Sequence, residues 1–316
     1  MAFVRVNMRE PGTAIRIIAC FAGAILVFGV HPALGAEKKN PWKAKISFGV
    51  EFDDNVNTSQ TDNNSGQGDK AGIMEFSTSY KLIDEKKFGL EAGYDFFQSL
   101  YQDLDDFDLH SHSLSLFANG EVQGLDLNAY YGYSRTLLGR NDFLGLHNFQ
   151  PSVGYSVTPQ WYVTAGLNYQ NKNFVTVNTR DANLYAALFD SFYFFNNAKS
   201  FVKVGYKIEN ENTRDSEFDY LGHYLNAEFK TPLDIILAKS ILKLRYQYYF
   251  KDFRNITAEI GKERLDRRHT LRATFVAPLN DNLAVETDLK YIRALSSLEA
   301  SDFVERVATV SLKLSY

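Results

Sequence analysis

Residues 242–251 read LKLRYQYYFK, and large apolar and polar side chains alternate along this stretch. The even-numbered residues are leucine, tyrosine and phenylalanine, while most of the odd-numbered residues are lysine, arginine or glutamine. Successive side chains point to opposite faces of a β-strand. The stretch therefore predicts a strand with one apolar face and one polar face.

The same alternation recurs along most of the chain, as at 43–52, 88–96, 125–133 and 161–169. We predict fourteen strands, of which 182–196 is the least regular because Asp190 lies within a run of phenylalanine and tyrosine. The predicted strands are 43–54, 71–83, 88–100, 109–121, 125–137, 146–158, 161–172, 182–196, 201–212, 219–231, 239–251, 266–278, 283–295 and 304–316. An even number of strands, each with one apolar face, is typical of a transmembrane β-barrel.

The predicted connections alternate in length. Short turns are expected at 84–87, 123–124, 159–160, 197–199 and 280–282, and longer loops at 55–70, 139–145, 173–181 and 254–265. Outer-membrane barrels have short periplasmic turns and longer extracellular loops, so this alternation favours the same fold. The connection at 232–238 departs from the pattern, because it should be short but carries the apolar residues LDIIL.

The first 36 residues have the layout of a secretory signal peptide. Arg5, Arg9 and Arg16 precede an apolar run over 17–30, and the small residues Gly35 and Ala36 follow it. The run is shorter than the ~20 residues that a membrane-spanning helix needs. We predict a cleaved signal peptide at 1–36 and an exported all-β barrel at 37–316.

The other end of the chain carries a second signal. Val310, Leu312, Leu314 and Tyr316 alternate with polar residues, and the sequence stops on the aromatic side chain. This pattern resembles the C-terminal assembly signal of bacterial outer-membrane barrels, which implies the barrel-assembly machinery as a partner. A soluble sandwich or barrel would alternate equally well. The leader and this C-terminus together favour the outer membrane, with its lipid and lipopolysaccharide as surroundings.

Composition excludes several classes of function. The formal charge is −4, whereas nucleic-acid binders normally present a strongly basic surface. Cys20 is the single cysteine and lies in the leader, so we expect neither disulfides nor thiolate metal sites. Ser111 and His112 are adjacent on a predicted strand, so their side chains point to opposite faces and cannot form a nucleophile–base pair. We expect no catalytic residues, metal or cofactor.

Closure of the barrel in lipid would place the polar face in the lumen. Inward charges on the early strands are mixed to acidic, and those on the later strands are largely basic. Such walls tune which solutes pass a pore, although mutually paired charges could equally fill and occlude it. The candidate selectivity residues are Glu51, Asp53, Glu91, Asp95, Lys203, Lys243, Arg245, Arg268, Arg272 and Lys313.

Residues 49–56, GVEFDDNV, resemble the opening barrel strand of a group that includes surface lipoprotein assembly modifiers and exopolysaccharide-associated barrels. This resemblance implies an export or translocation component, although the lipoprotein modifiers also carry an N-terminal tetratricopeptide domain that residues 37–42 cannot supply. The overall size resembles that of monomeric fourteen-stranded porins. It implies passive diffusion of small hydrophilic solutes through a charged lumen. A closed structural barrel is the third alternative.

Overall fold

The computed structural model describes residues 40–58, 63–233 and 239–316. The predicted signal peptide at 1–36 and the core of the apolar connection at 234–238 lie outside these ranges. Among the described residues, no helix is long and apolar enough to cross a membrane.

Fourteen antiparallel strands follow one another around a closed barrel, and the last strand pairs with the first. The predicted up-and-down barrel is confirmed, and the irregular segment at 182–196 forms a regular strand. In chain order the strands are β1 (Trp42–Asp53), β2 (Asp69–Asp84), β3 (Phe88–Tyr101), β4 (Leu109–Val122), β5 (Leu125–Leu138), β6 (Asn141–Ser156), β7 (Trp161–Phe174), β8 (Ala182–Phe195), β9 (Ser200–Thr213), β10 (Tyr220–Pro232), β11 (Ile241–Thr257), β12 (Lys262–Pro278), β13 (Leu283–Ser296) and β14 (Phe303–Ser315).

The alternation of each strand separates two surfaces of the barrel. On β1, Phe48, Val50 and Phe52 lie on the outer face and are about half exposed, whereas Ser47 and Asp53 lie on the inner face and are buried. Closure satisfies the backbone groups of every strand edge, which is the condition for a β structure to cross lipid.

The seam between the first and last strands includes the last residue of the chain. The amide of Tyr316 donates to the carbonyl of Ala44 at 2.8 Å, and the amide of Ala44 donates back at 3.1 Å. Val310 and Leu312 pair with Val50 and Phe48, so the predicted C-terminal signal lies on the outer face.

Two of the predicted longer loops are continuations of strands. Residues 139–145 were expected to form a loop, but β5 and β6 continue through this region and meet at a two-residue turn. Gly139 and Arg140 have φ of +53° and +67°, as a tight hairpin turn requires. Likewise, β11 and β12 extend through most of 254–265. Sequence alternation is blurred at both places because the pairing register shifts there.

Candidate functional site: the charged lumen

All ten predicted selectivity residues lie on the inner face of the barrel. Directly paired residues of neighbouring strands share a face, so the pairing register extends the inner face of β1 around the barrel. Glu51 pairs with Thr309, for example, and Arg245 pairs with Arg272. The acidic members Glu91 and Asp95 belong to β3. The basic members other than Lys203 belong to β11, β12 and β14.

Four ion pairs connect neighbouring strands on the inner face of β10–β14. The N–O distances are 2.6–2.8 Å, and the pairs are Arg245–Glu228, Arg272–Asp288, Lys290–Glu305 and Lys313–Glu286. In each pair the cation is the more exposed partner. The side chain of Arg272, for example, is 36% exposed against 12% for Asp288. The inner face of these strands also carries Lys230, Lys243, Lys251 and Arg268, so this wall is basic and presents cations to the lumen.

The cations of this wall also form a ladder across three strands. Arg245, Arg272 and Lys290 are direct neighbours in the pairing register, and Glu228 lies at the β10 end of the same row. A row of cations at one level of the lumen produces a local positive potential, which attracts counterions and anionic solutes.

The other side of the lumen carries acids. In a fourteen-stranded barrel β3 and β4 lie across the lumen from β10 and β11. Glu91 and Asp95 on β3 are half-buried on this inner face, and Asp126 on β5 accepts a hydrogen bond from the hydroxyl of Tyr162 at 3.0 Å. A cation-presenting wall therefore faces an acidic wall.

A buried polar cluster lies above the ladder, on β7, β9 and β10. The ammonium group of Lys207 donates to Glu209 at 2.6 Å, and the hydroxyls of Tyr220 and Tyr224 donate to the same carboxylate at 2.9 and 2.7 Å. Lys172 joins the cluster through Glu211 at 2.6 Å. These charges are enclosed, so they brace the wall and do not line a water-filled path.

Lys203 is also enclosed within the barrel wall. Its side chain is 2% exposed and forms an ion pair with Asp190 at 3.0 Å. The aromatic rings of Tyr162, Phe192 and Phe201 pack together beside it near the short-turn end of β7–β9. Sequence alternation placed Lys203 in the lumen, but the neighbouring rings separate it from solvent.

The described residues of the connection between β1 and β2 pack against the start of β14. In the segment 54–68, the side-chain amide of Asn55 donates to the carbonyl of Val304 at 2.9 Å, and that of Asn57 donates to Glu305 on the inner face. Val56, which belongs to this segment, is fully buried. The other connections on this side have two to seven residues.

A ring of tyrosine–histidine pairs marks the outer face. In each pair a tyrosine hydroxyl bonds to histidine Nδ1 on the next strand at 2.6–2.9 Å, with the same diagonal offset. The pairs are Tyr94–His112, Tyr131–His147, Tyr206–His223 and Tyr246–His269. Each histidine lies nine or ten residues from the short-turn end of its strand. Since about 9–11 residues of a strand cross the hydrocarbon, the ring marks the boundary of the membrane farther from the short turns.

Comparison with solved structures supports the fourteen-stranded barrel fold. An anion-selective porin from Comamonas acidovorans superposes with a TM-score of 0.50 at 10% sequence identity, covering 87% of this chain and 98% of the porin. This chain has the porin fold. OprD of Pseudomonas aeruginosa and a BenF-like porin of Pseudomonas fluorescens match with TM-scores of 0.44 and 0.46. Their identities are 10% and 9%, and they cover 87% of this chain and 95% and 99% of their own. No family profile and no curated protein matches the sequence.

Ser111 and His112, the adjacent residues considered above as a nucleophile–base pair, lie on opposite faces of the barrel wall. Ser111 lies on the inner face, where its hydroxyl is 3.2 Å from that of Thr136, whereas His112 on the outer face bonds to Tyr94. In the described part of the chain, no group of three or more histidine, cysteine, aspartate or glutamate side chains is placed to hold a metal ion.

The tyrosine–histidine ring was missed by sequence reasoning, because its members are far apart in sequence. A test is Tyr246→Phe, which removes the 2.8 Å bond to His269. We expect the free energy of unfolding in lipid vesicles to fall by about 1 kcal/mol. Tyr248→Phe is the matched control, since Tyr248 contacts the same imidazole through its ring, 4.9 Å away between centroids. An equal loss in both variants would contradict a role for the hydrogen bond.

Proposed function

We propose that this protein is an outer-membrane channel for passive diffusion of small hydrophilic solutes. The observation that carries the proposal is the exposure of charge inside a closed barrel. The inner-face cations Arg245, Arg272 and Lys313 are 24–36% exposed, although they lie within the wall and away from the outer surface. Such exposure requires water-accessible space in the lumen, as a diffusion channel does.

The two walls suggest how solutes are selected. Cations presented by β11–β14 and acids on β3 and β5 set up a transverse field, which favours solutes that carry both a negative and a positive or strongly polar group. The porin fold of the structural neighbours supports a channel. An export role and a purely structural role are the alternatives that the experiment below distinguishes.

The test is single-channel recording of the refolded chain in a planar bilayer. We expect steady ohmic conductance, and we expect the ion selectivity to change when Arg245 and Arg272 are reversed to glutamate. Arg135→Gln is the matched control, because Arg135 lies on the outer face and pairs with Asp142. A silent bilayer, with a heat-modifiable gel shift showing a folded barrel, would overturn the proposal. Recovery of current only with a periplasmic partner would favour export.

A further inference from the structure

The inner face of β4–β6 carries no charge over most of its height. Five successive rows of three paired residues run up this part of the wall, which we call the neutral sector. Ten of its fifteen side chains are serine, threonine, asparagine or glutamine, and none is a carboxylate, lysine, arginine or histidine. From the short-turn end, the rows are Asn119–Asn128–Ser152, Phe117–Tyr130–Gln150, Ser115–Gly132–Asn148, Ser113–Ser134–Leu146 and Ser111–Thr136–Leu144.

The neutral sector is accessible from the lumen. Asn119 is exposed although it points inward. Its half-buried members include Ser113, Asn128, Tyr130 and Asn148. Because these side chains lie on the inner face of the barrel, their accessible surface faces the lumen, where a passing solute contacts it.

Two aromatic side chains lie next to each other in the second row. Phe117 on β4 pairs directly with Tyr130 on β5, and both are half-buried. The Tyr130 side chain lies over Gly132, where a Cβ atom would be 2.6 Å from the tyrosine hydroxyl and 3.0 Å from Cζ. The ring of Tyr130 therefore runs along the wall and does not project straight across the lumen. Any larger residue at position 132 would displace it.

Hydrogen-bonding groups surround this aromatic pair along the wall. Glu91 on β3 pairs with Phe117 and extends the row to a carboxylate, and Gln150 on β6 extends it to an amide. Asn128 and Asn148 lie in the rows directly below and above. An amide both donates and accepts, and a carboxylate accepts at two oxygens. The rings and these groups together form a small apolar surface with a polar rim.

The aromatic pair lies at the level of the cation ladder, on the opposite wall. Phe117 and Tyr130 are five residues from the short-turn ends of β4 and β5. Arg245 and Arg272 are four and six residues from the short-turn ends of β11 and β12. In the closed ring of fourteen strands, β11 is seven positions from β4. At one level, the lumen therefore presents a charged surface on one side and a neutral surface on the other.

We propose that the neutral sector is a binding subsite for uncharged saccharides, an inference that rests on the channel function proposed above. The C–H groups of a pyranose ring pack on Phe117 and Tyr130, because the faces of aromatic rings carry partial negative charge. The sugar hydroxyls exchange hydrogen bonds with Glu91, Asn128 and Asn148. A saccharide has apolar C–H faces and a rim of hydroxyls, which match the rings and their polar surroundings. An ion would lose hydration here without meeting a row of opposite charges.

Single-channel recording of the refolded chain with maltose in the bath tests this inference. We expect maltose to reduce the potassium chloride current in a saturable manner. Phe117→Ala and Tyr130→Ala should each raise the half-blocking concentration roughly two- to tenfold. Gly132→Ala keeps both rings but displaces that of Tyr130, so it should act in the same direction. Tyr131→Ala is the matched control, since Tyr131 is the next residue on β5 and lies exposed on the outer face.

The choice of solute separates stacking from general hydrogen bonding. Sorbitol is a polyol without a ring, so it should block far more weakly than maltose. Equal block by the two solutes, or an equal loss of maltose block in Tyr131→Ala, would overturn the inference. An ohmic current that maltose does not alter would also contradict the saccharide subsite, while the channel itself would remain supported.

Binding can also be measured without conduction. Saturation-transfer NMR of maltose with the barrel, in a detergent without sugar head groups, should show transfer to the pyranose C–H groups that is reduced in Tyr130→Ala. Absence of transfer would exclude the subsite even if the barrel is silent in a bilayer. Heat-modifiable gel migration monitors folding of every variant. If Phe117→Ala does not fold, Tyr130→Leu, which keeps an apolar side chain, and Gly132→Ala decide the question.

Discussion

Lys207→Met is expected to lower the free energy of unfolding by about 3–5 kcal/mol, because it leaves a buried carboxylate without its cation. Glu209 is 2% exposed and receives hydrogen bonds from Lys207, Tyr220 and Tyr224. Lys207 also lies 3.7 Å from the centroid of the Tyr224 ring, so the substitution removes a cation–π contact as well.

Urea unfolding of the barrel in lipid vesicles, followed by tryptophan fluorescence, measures this loss. The double variant Lys207→Met/Glu209→Gln should recover most of it, because a neutral amide needs no countercharge and its oxygen still accepts from both tyrosines. Lys81→Met is the control; its pair with Asp84 is well exposed, and we expect a change below about 1 kcal/mol. A double variant as unstable as the single one would contradict the argument.

Arg272→Gln is expected to increase the permeability of the channel to cations relative to anions by up to about fivefold. A unit charge ~4 Å from an ion in water contributes about 1 kcal/mol, which corresponds to this factor. The substitution removes the most exposed cation of the ladder, while Asp288 keeps its hydrogen bond from Thr274 at 2.6 Å. The lumen wall at this level would then carry one more net negative charge.

Reversal potentials in a gradient of potassium chloride measure this shift. The shift should be largest near 0.01 M salt and small at 1 M, where the screening length falls to about 3 Å. Arg135→Gln, on the outer face, should leave the reversal potential unchanged. An Arg272→Gln channel with unaltered selectivity at low salt would show that permeating ions do not approach the ladder.

Much of the fold could be predicted because alternation is a local property. A strand in lipid needs an apolar face and a closed barrel needs a polar interior, so the ten-residue pattern of β11 predicts both the strand and its inner residues. The same rule placed every candidate selectivity residue on the inner face. The predicted loops around Gly139 and Arg254 were too long, because shifts of the pairing register allow the strands to continue there.

The sequence by itself determined the fold class, the inner and outer face of each strand, and the sign of the charge on each wall, because all three depend on residue type and a period of two. Only the tertiary structure decided which charges meet solvent. Arg272 is exposed and Lys203 is enclosed, although both are inward basic residues, because burial depends on packing between strands distant in sequence. The tyrosine–histidine ring depends on the pairing register, which places side chains together only after neighbouring strands have paired.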